Sequence, residues 1–485
     1  MLGKECEMSR QVALDWIERN EKRAILLSDR IWELAELGLR EYKSSKLLTE
    51  ELVKAGFRVD SNVAGMPTAF VGAYGSGKPM IGLLAEYDAL PGLSQKAQPT
   101  REPFRENDAG HGCGHNLLGV GSLVAALAMR EAIQEKRLNC TVKLFGCPAE
   151  ETLTGKAFMA KEGLFDDLDV ALVWHPDTCN SVMMSSTNAM NSVEFIFHGV
   201  ASHAATNPEK GKSALDAVEL MNVGANYLRE HIGEKCRLHY VITHGGKEPN
   251  VVPDYAQVWY YVRAPKRREV ERVNERLVNI AKGACLMTEA KMETKLLSGC
   301  YDTLPNKALG AIMMRNMKEI GAPRWSQEEL KFAEELVKSI TYQDRRDTIL
   351  NSMIPKKEEK LEKLLDDTIC DAEDENQISP GSTDVGDVSW ITPTTSLMTA
   401  ASALGIHFHS WQQTACSGMS IGHKGMLLAA KTLALTGIDL ITKPEELEKV
   451  REEFAAKTKA FVYESHIPRE QKPSLDWRSL ECNHK

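Results

Sequence analysis

Two short stretches carry side chains whose chemistry stands out. Gly110-His111-Gly112-Cys113-Gly114-His115-Asn116 sets a thiol and two imidazoles among glycines, and Cys147-Pro148-Ala149-Glu150-Glu151 ends in adjacent carboxylates. A helical pattern over 117–135 and a strand pattern over 140–147 lie between them. Thiolate, imidazole and carboxylate are metal ligands, and a second carboxylate beside them is available for acid–base work. Cys-x-His is too short for a zinc finger and no matching pair follows, so on its own it also fits an ordinary loop. The flanking glycines let backbone come close to something, which tilts the reading toward a site.

Two further stretches end apolar runs. Glu86-Tyr87-Asp88 follows 80–85, and His175-Pro176-Asp177 follows 169–174. Separately they fit a solvated strand end and a structural histidine. Together, Asp88, Glu150/Glu151 and His175 sit at three consecutive strand ends. They imply a sheet whose C-terminal edge gathers metal-type ligands, where open α/β sheets place their sites.

The elements that must position these residues are legible as periodicities. At 485 residues the chain is too long for one ordinary core, and two domains are expected. Residues 8–56 read as two helices stopping at Gly56, and 57–74 as short strands. Between 191 and 298 the order is β-α-β-β-α-β, a ferredoxin-like split unit inserted as a second domain. It carries His203 in the loop GVASHAATNP, Asn250 in PNVVPD, and Arg263 at a strand end. The remainder, 1–190 with 299–485, forms the α/β domain. Within it, 326–375 is densely charged with helical apolar spacing, a solvent-exposed helical insertion with no chemistry of its own. A strand over 397–403 runs into His407 and His409: both share one face if it continues, one reaches a site if it turns. A closing helix over 426–436 follows His423, a terminal helix spans 445–466, and the tail 467–485 is expected to be loosely packed.

Composition excludes some functions. The net charge of −9 offers no basic face for nucleic acid. No uninterrupted apolar run reaches the roughly 18 residues of a membrane span, and residues 1–20 have no signal-peptide core. Eleven scattered cysteines read as reduced thiols, which points to the cytoplasm.

The ordered series GHGCGHN, PAEE, WHPD, GVASHAATNP, PNVVPD and HSW resembles the amidohydrolase branch of the metallopeptidase family that includes aminoacylases, carboxypeptidase G and plant auxin-conjugate hydrolases. The resemblance spans about 20–445. It implies a catalytic α/β domain with a mixed sheet flanked by helices and two divalent metal ions, manganese or zinc, interrupted by a lid and dimerisation domain. Carried over motif by motif, Cys113 bridges the two metals, and His115, Glu151, His175 and His409 are the other ligands. Glu150 is the general base, and Asp88 orients a ligand or the metal pair. His203, Asn250 and Arg263 hold the substrate. Many relatives have a metal-binding His where this chain has Glu86; His115 compensates, and Glu86 is not expected to touch metal. The insertion, STDVGDVSW and HSWQ…HKGM direct the resemblance toward hydrolases of p-aminobenzoyl-glutamate. The implied reaction is cleavage of an acyl or aroyl amino acid carrying a carboxylate. Dipeptidase and indole-acetyl-amino acid hydrolase activities are alternatives, and a non-catalytic partner subunit is a second alternative. The implied assembly is a homodimer, or a heterodimer with a homologous subunit.

Overall fold

The computed structural model describes residues 2–475; the last ten residues of the tail, 476–485, lie outside the described residues. In chain order the strands are β1 (Arg58–Ser61), β2 (Phe70–Gly75), β3 (Met80–Ala85), β4 (Thr141–Gly146), β5 (Val170–Asp177), β6 (Ser181–Met183), β7 (Ser186–Thr187), β8 (Ala189–His198), β9 (Arg237–His244), β10 (Tyr255–Ala264), β11 (Lys291–Cys300), β12 (Ile378–Ser379) and β13 (Thr394–Ala400). The chain divides into two compact units. One comprises the described residues up to Ser185, Leu304–Gln377 and Val388–Glu464; the other comprises Ser186–Thr303, Ile378–Asp387 and the described residues from Ser465.

The first unit is built on a seven-stranded mixed sheet in the order β1-β2-β4-β3-β5-β13-β6. Its centre, β4-β3-β5-β13, is parallel, and antiparallel strands close both sides. The central strands are apolar and nearly all buried, as a parallel sheet covered on both faces requires. Parallel pairing brings the C-terminal ends of β3, β4, β5 and β13 to one edge. Ala85 pairs with Gly146, and Ala400 with Asp177, so Glu86, Asp88, Glu150, Glu151 and His175 come to that edge by register.

The helices His115–Lys136 and Ser420–Thr442 pack in the core with Leu83, Leu172 and Leu397 of the sheet. By length and mean composition alone both could cross a membrane, although charged residues interrupt each of them, in line with the absence of an uninterrupted apolar run of that length. Most of their residues are buried inside this unit, which explains an apolar surface all the way round. The closing helix starts earlier than its periodicity suggested, so His423 lies within it, with Nε2 2.8 Å from Asp29 Oδ1. The terminal helix is shorter than expected, Pro444–Thr458.

The insertion is two helices, Gln327–Val337 and Tyr342–Asn351, followed by turns. It is less exposed than its charge suggested: Ala333, Leu336 and Leu365 share a buried cluster with Ala403, Ile406 and Ala415.

In the second unit β8, β9, β10 and β11 form an antiparallel sheet in the order β11-β8-β10-β9. With helices Ala214–Leu228 and Arg267–Thr288 this is the ferredoxin-like split unit. Burial along β10 alternates strictly. Val258, Tyr260 and Val262 join the core with Val218, Met221 and Leu277, while Trp259, Tyr261 and Arg263 take the other face.

Candidate metal centre and active site

The site at the sheet edge starts from how the helix His115–Lys136 is launched. Gly114, at φ 76°, turns the chain into the helix and makes His115 its first residue. One turn on, a Cβ at Gly119 would lie 2.5 Å from the carbonyl oxygen of Glu86. Only glycine lets the helix sit this close to the end of β3. His115 and Asp88 then meet at 2.8 Å, Nδ1 to Oδ1. Hydrogen bonding to His115 and its charge hold the Asp88 carboxyl below its ordinary value, against the effect of burial. Against the effect of burial, Cys113 and Asp88 raise the His115 pKa, so without a metal the ring carries its charge; an ionised Asp88 that keeps the Nδ1 proton leaves Nε2 as the nitrogen that gives up its proton to a bound cation. The other oxygen of Asp88 accepts the backbone N–H of Glu151 at 3.0 Å. Asp88 thus orients an imidazole and the carboxylate-bearing turn at once.

That turn, Glu150–Thr152, follows β4. Ala149 enters it at φ 55° and Leu153 leaves it at φ 54°, both left-handed and unfavourable for residues with a Cβ. Glu41, which sequence reasoning missed, helps hold it by accepting the Ala149 N–H at 2.9 Å while Thr68 donates to its second oxygen. Burial, then repulsion from Asp88, pushes the Glu41 carboxyl up to about 8. A raised acid favours the fold most below its unfolded value near 4.5, and the contribution is lost as pH climbs through about 8. Glu41→Gln should remove that loss. Its stability relative to the parent should be greater at pH 9 than at pH 5, a swing of roughly 3–5 kcal/mol that shows as a relative rise in melting temperature. Parallel melting curves across that range would contradict the assignment.

From β5, His175 donates its Nδ1 proton to the carbonyl of Pro176 at 2.7 Å and turns Nε2 to within 3.4 Å of Cys113 Sγ. Burial drives its pKa down to about 4, so the ring is neutral, as a ligand must be. After β13 the chain turns at Gly405, so His407 and His409 do not share a strand face. His407 meets Thr348 at 3.0 Å, whereas His409, at φ 58°, brings Nε2 to 3.3 Å from Glu151 Oε2. His111 bonds the Ile31 carbonyl instead, at 3.1 Å.

The donors form overlapping trios whose atoms lie within 4.8 Å of one another. They are Cys113, His115 and His175; Cys113, Glu151 and His409; and Glu86, His115 and Glu150. Cys113 is common to the first two. Glu86, which sequence reasoning placed outside the ligand set, lies inside this cluster. Its Oε2 is 3.3 Å from His115 Nε2, and its Oε1 is 2.8 Å from the buried ammonium of Lys156. Nothing in the sequence pattern marked Lys156.

The donor chemistry fits divalent cations. Glu86 Oε2, His115 Nε2 and Glu151 Oε1 are buried with no hydrogen-bond partner, a costly arrangement for a folded protein. Burial raises the Glu151 carboxyl to about 7, with Asp88 and Glu86 adding to the rise, and burial and Glu151 push the Cys113 thiol up. A divalent cation lets such groups ionise together.

The substrate residues expected from the sequence lie on the second unit. His203 and Val251 form a bridge, and the Ala204 N–H donates to the Asn250 carbonyl at 2.9 Å, so His203 and Asn250 are neighbours. Arg263 sits at the end of β10, its Nη1 3.4 Å from the Pro380 carbonyl.

Known proteins agree with this architecture. Residues 186–287 match the family model described as peptidase dimerisation domain. The chain is 41% identical to a p-aminobenzoyl-glutamate hydrolase subunit of Escherichia coli (strain K12), over 95% of this chain and 98% of that one. It is 30% identical to the Xaa-Arg dipeptidase of Mus musculus, over 93% and 94% respectively. A Bacillus subtilis dinuclear metal-binding peptidase of the M20 family shares the fold, with a TM-score of 0.55, 14% identity, and coverage of 87% of this chain and 99% of that one. Near-complete coverage at 41% identity, together with the dimerisation domain, makes this chain a member of the M20 family, metal-dependent hydrolases of amide bonds.

Proposed function

We propose that the chain hydrolyses the amide of an N-aroyl or N-acyl amino acid, p-aminobenzoyl-glutamate foremost, at a centre for two divalent metal ions. The observation that carries this reading is Cys113 as the shared member of two donor trios, the arrangement a bridging ligand requires. His115 and His175 would complete one half of the centre, and Glu151 and His409 the other. Carboxylate and imidazole donors suit manganese and zinc alike, and the thiolate leans toward zinc. When bound, the two ions supply Lewis acidity to a water and to the scissile carbonyl.

The chain's own residues do the rest. Glu150 removes the proton of the attacking water and returns it to the leaving amine nitrogen. Asp88 keeps the His115 lone pair and the Glu151 carboxylate aimed. Lys156 balances the charge of Glu86 so that the acidic cluster can persist in a buried place. His203 donates to the oxyanion, Asn250 lines the substrate pocket, and Arg263 forms a two-pronged pair with the substrate carboxylate. Dimerisation takes place through 191–298, with a second copy or with a homologous subunit, in the cytoplasm. None of the ten described cysteines is in a disulfide, which fits a reducing compartment.

A panel of amides tests the substrate class. Faster cleavage of p-aminobenzoyl-glutamate than of basic dipeptides or indole-acetyl-aspartate supports the reading; a preference for dipeptides ending in Arg moves the chain toward the Xaa-Arg dipeptidase. Arg263→Ala should raise KM for acidic substrates at least ~10-fold, the scale of one charge-assisted pair, and leave KM for neutral amides unchanged. Equal effects on both would remove Arg263 from the pocket.

A further inference from the structure

His409 differs from the other donors. Its side chain is about half exposed (53%), and it sits in a loop rather than on a strand or helix. Some other structure must fix it. On one side the His409 N–H donates to the Gly112 carbonyl at 2.9 Å. On the other side the loop rests on the charged insertion.

Arg345 is the centre of that support. It comes from the helix Tyr342–Asn351, is 9% exposed, and its guanidinium bonds three backbone carbonyls. Nε donates to Leu404 at 3.0 Å, Nη1 to Leu361 at 3.3 Å, and Nη2 to Lys363. The fork ties the end of the insertion to the start of the His409 loop. Gly405 passes directly over it: a Cβ there would lie 2.5 Å from Arg345 Cγ, and the residue is at φ 86°. Neighbouring contacts repeat the pattern. The Leu404 N–H donates to the Leu364 carbonyl at 2.9 Å, and His407 Nε2 meets Thr348 Oγ1 at 3.0 Å. Gln412 Nε2 donates to Ser339 Oγ at 3.0 Å, and Leu336 and Leu365 pack with Ile406 and Ala415. Apart from the Arg345 bonds to Leu361 and Lys363, which brace the insertion itself, these contacts join 336–365 to 404–415, the segment that carries His409.

We infer that Arg345 is a positioning residue for His409, and that the insertion is the scaffold for the Glu151/His409 half of the metal centre. The inference rests on His409 being a ligand. Only the arginine fork spans three carbonyls at fixed angles, so a lysine keeps the charge and loses the geometry. Groups that orient a ligand are typically worth ~10–100-fold in metal affinity.

The test is metal titration of the purified chain by calorimetry, with metal content counted, in the parent, Arg345→Lys, His409→Ala and the double variant. Arg345→Lys should weaken the second ion about 10-fold or more and leave the first, held by Cys113, His115 and His175, near the parent value. In the His409→Ala background the Arg345 change should add nothing. Thr348→Val, which removes only the His407 contact, should shift the second ion in the same direction by a smaller factor, and serves if Arg345 variants do not fold. Unchanged affinity for the second ion in folded Arg345→Lys or Thr348→Val overturns the inference, as does an Arg345 effect undiminished without His409. If His409→Ala itself binds two ions like the parent, the ligand assignment falls, and the inference with it.

Discussion

Glu150→Ala should lower kcat by about 10²–10⁴ and leave metal content at the parent's level. Proton transfer by a positioned carboxylate contributes on that scale, roughly 3–5 kcal/mol of barrier. The proposed assignment separates Glu150 from its neighbour: Glu151 shares a donor trio with Cys113 and His409, whereas Glu150 falls in a third trio, with Glu86 and His115, so the two trios that share Cys113 are complete without it. Because the lost proton transfer is a transition-state event, kcat and kcat/KM should fall together. A fall in bound metal matching the fall in rate would make Glu150 a ligand and leave the base unassigned.

Cys113→Ala should have the second large effect, on metal first and rate as a consequence. The thiol is the common member of the trios ending in His175 and in His409, so its loss touches both ions at once. A direct donor should matter more than an orienting partner, and the expected weakening is more than about 100-fold. His409→Ala touches one trio and should spare one ion. The contrast is the measurement: metal counting should show neither ion retained in Cys113→Ala after dialysis and one retained in His409→Ala. Retention of both in Cys113→Ala would end the bridging role. The side chain is small and buried, so the metal-free fold should survive the change, which circular dichroism can check.

The framework of this site was readable because parallel strands gather chemistry at one end. Apolar runs ending in Glu86-Tyr87-Asp88, Glu150-Glu151 and His175 each signal a buried strand with polar residues beyond it, and the sheet places those strands side by side. The ferredoxin-like unit was readable from its order of helix and strand periods, which its sheet order matches. Contacts distant in sequence were not readable. Glu41 reaches Ala149 across more than 100 residues, and Lys156 reaches Glu86 across 70; neither stands in a patterned motif. Glu86 was set aside by analogy with a histidine, yet its geometry brings it into the cluster. The insertion misled through its charge. Residues 326–375 look like a solvated appendage because their exposed faces dominate the composition, while the few apolar positions and one arginine that dock it are sparse in sequence. His407 and His409 were ambiguous because the answer depended on where the strand stops: β13 ends at Ala400, and the chain turns again at Gly405 before either histidine.

The most direct test of the central claim is release of p-aminobenzoate from p-aminobenzoyl-glutamate by the metal-loaded chain, assayed alone and with a homologous partner subunit, with Glu150→Ala as the blank. The account predicts equal amounts of p-aminobenzoate and glutamate from the parent and almost none from the blank, with two ions bound in each. Intact substrate in both assays, with both ions confirmed on the parent chain, would contradict it.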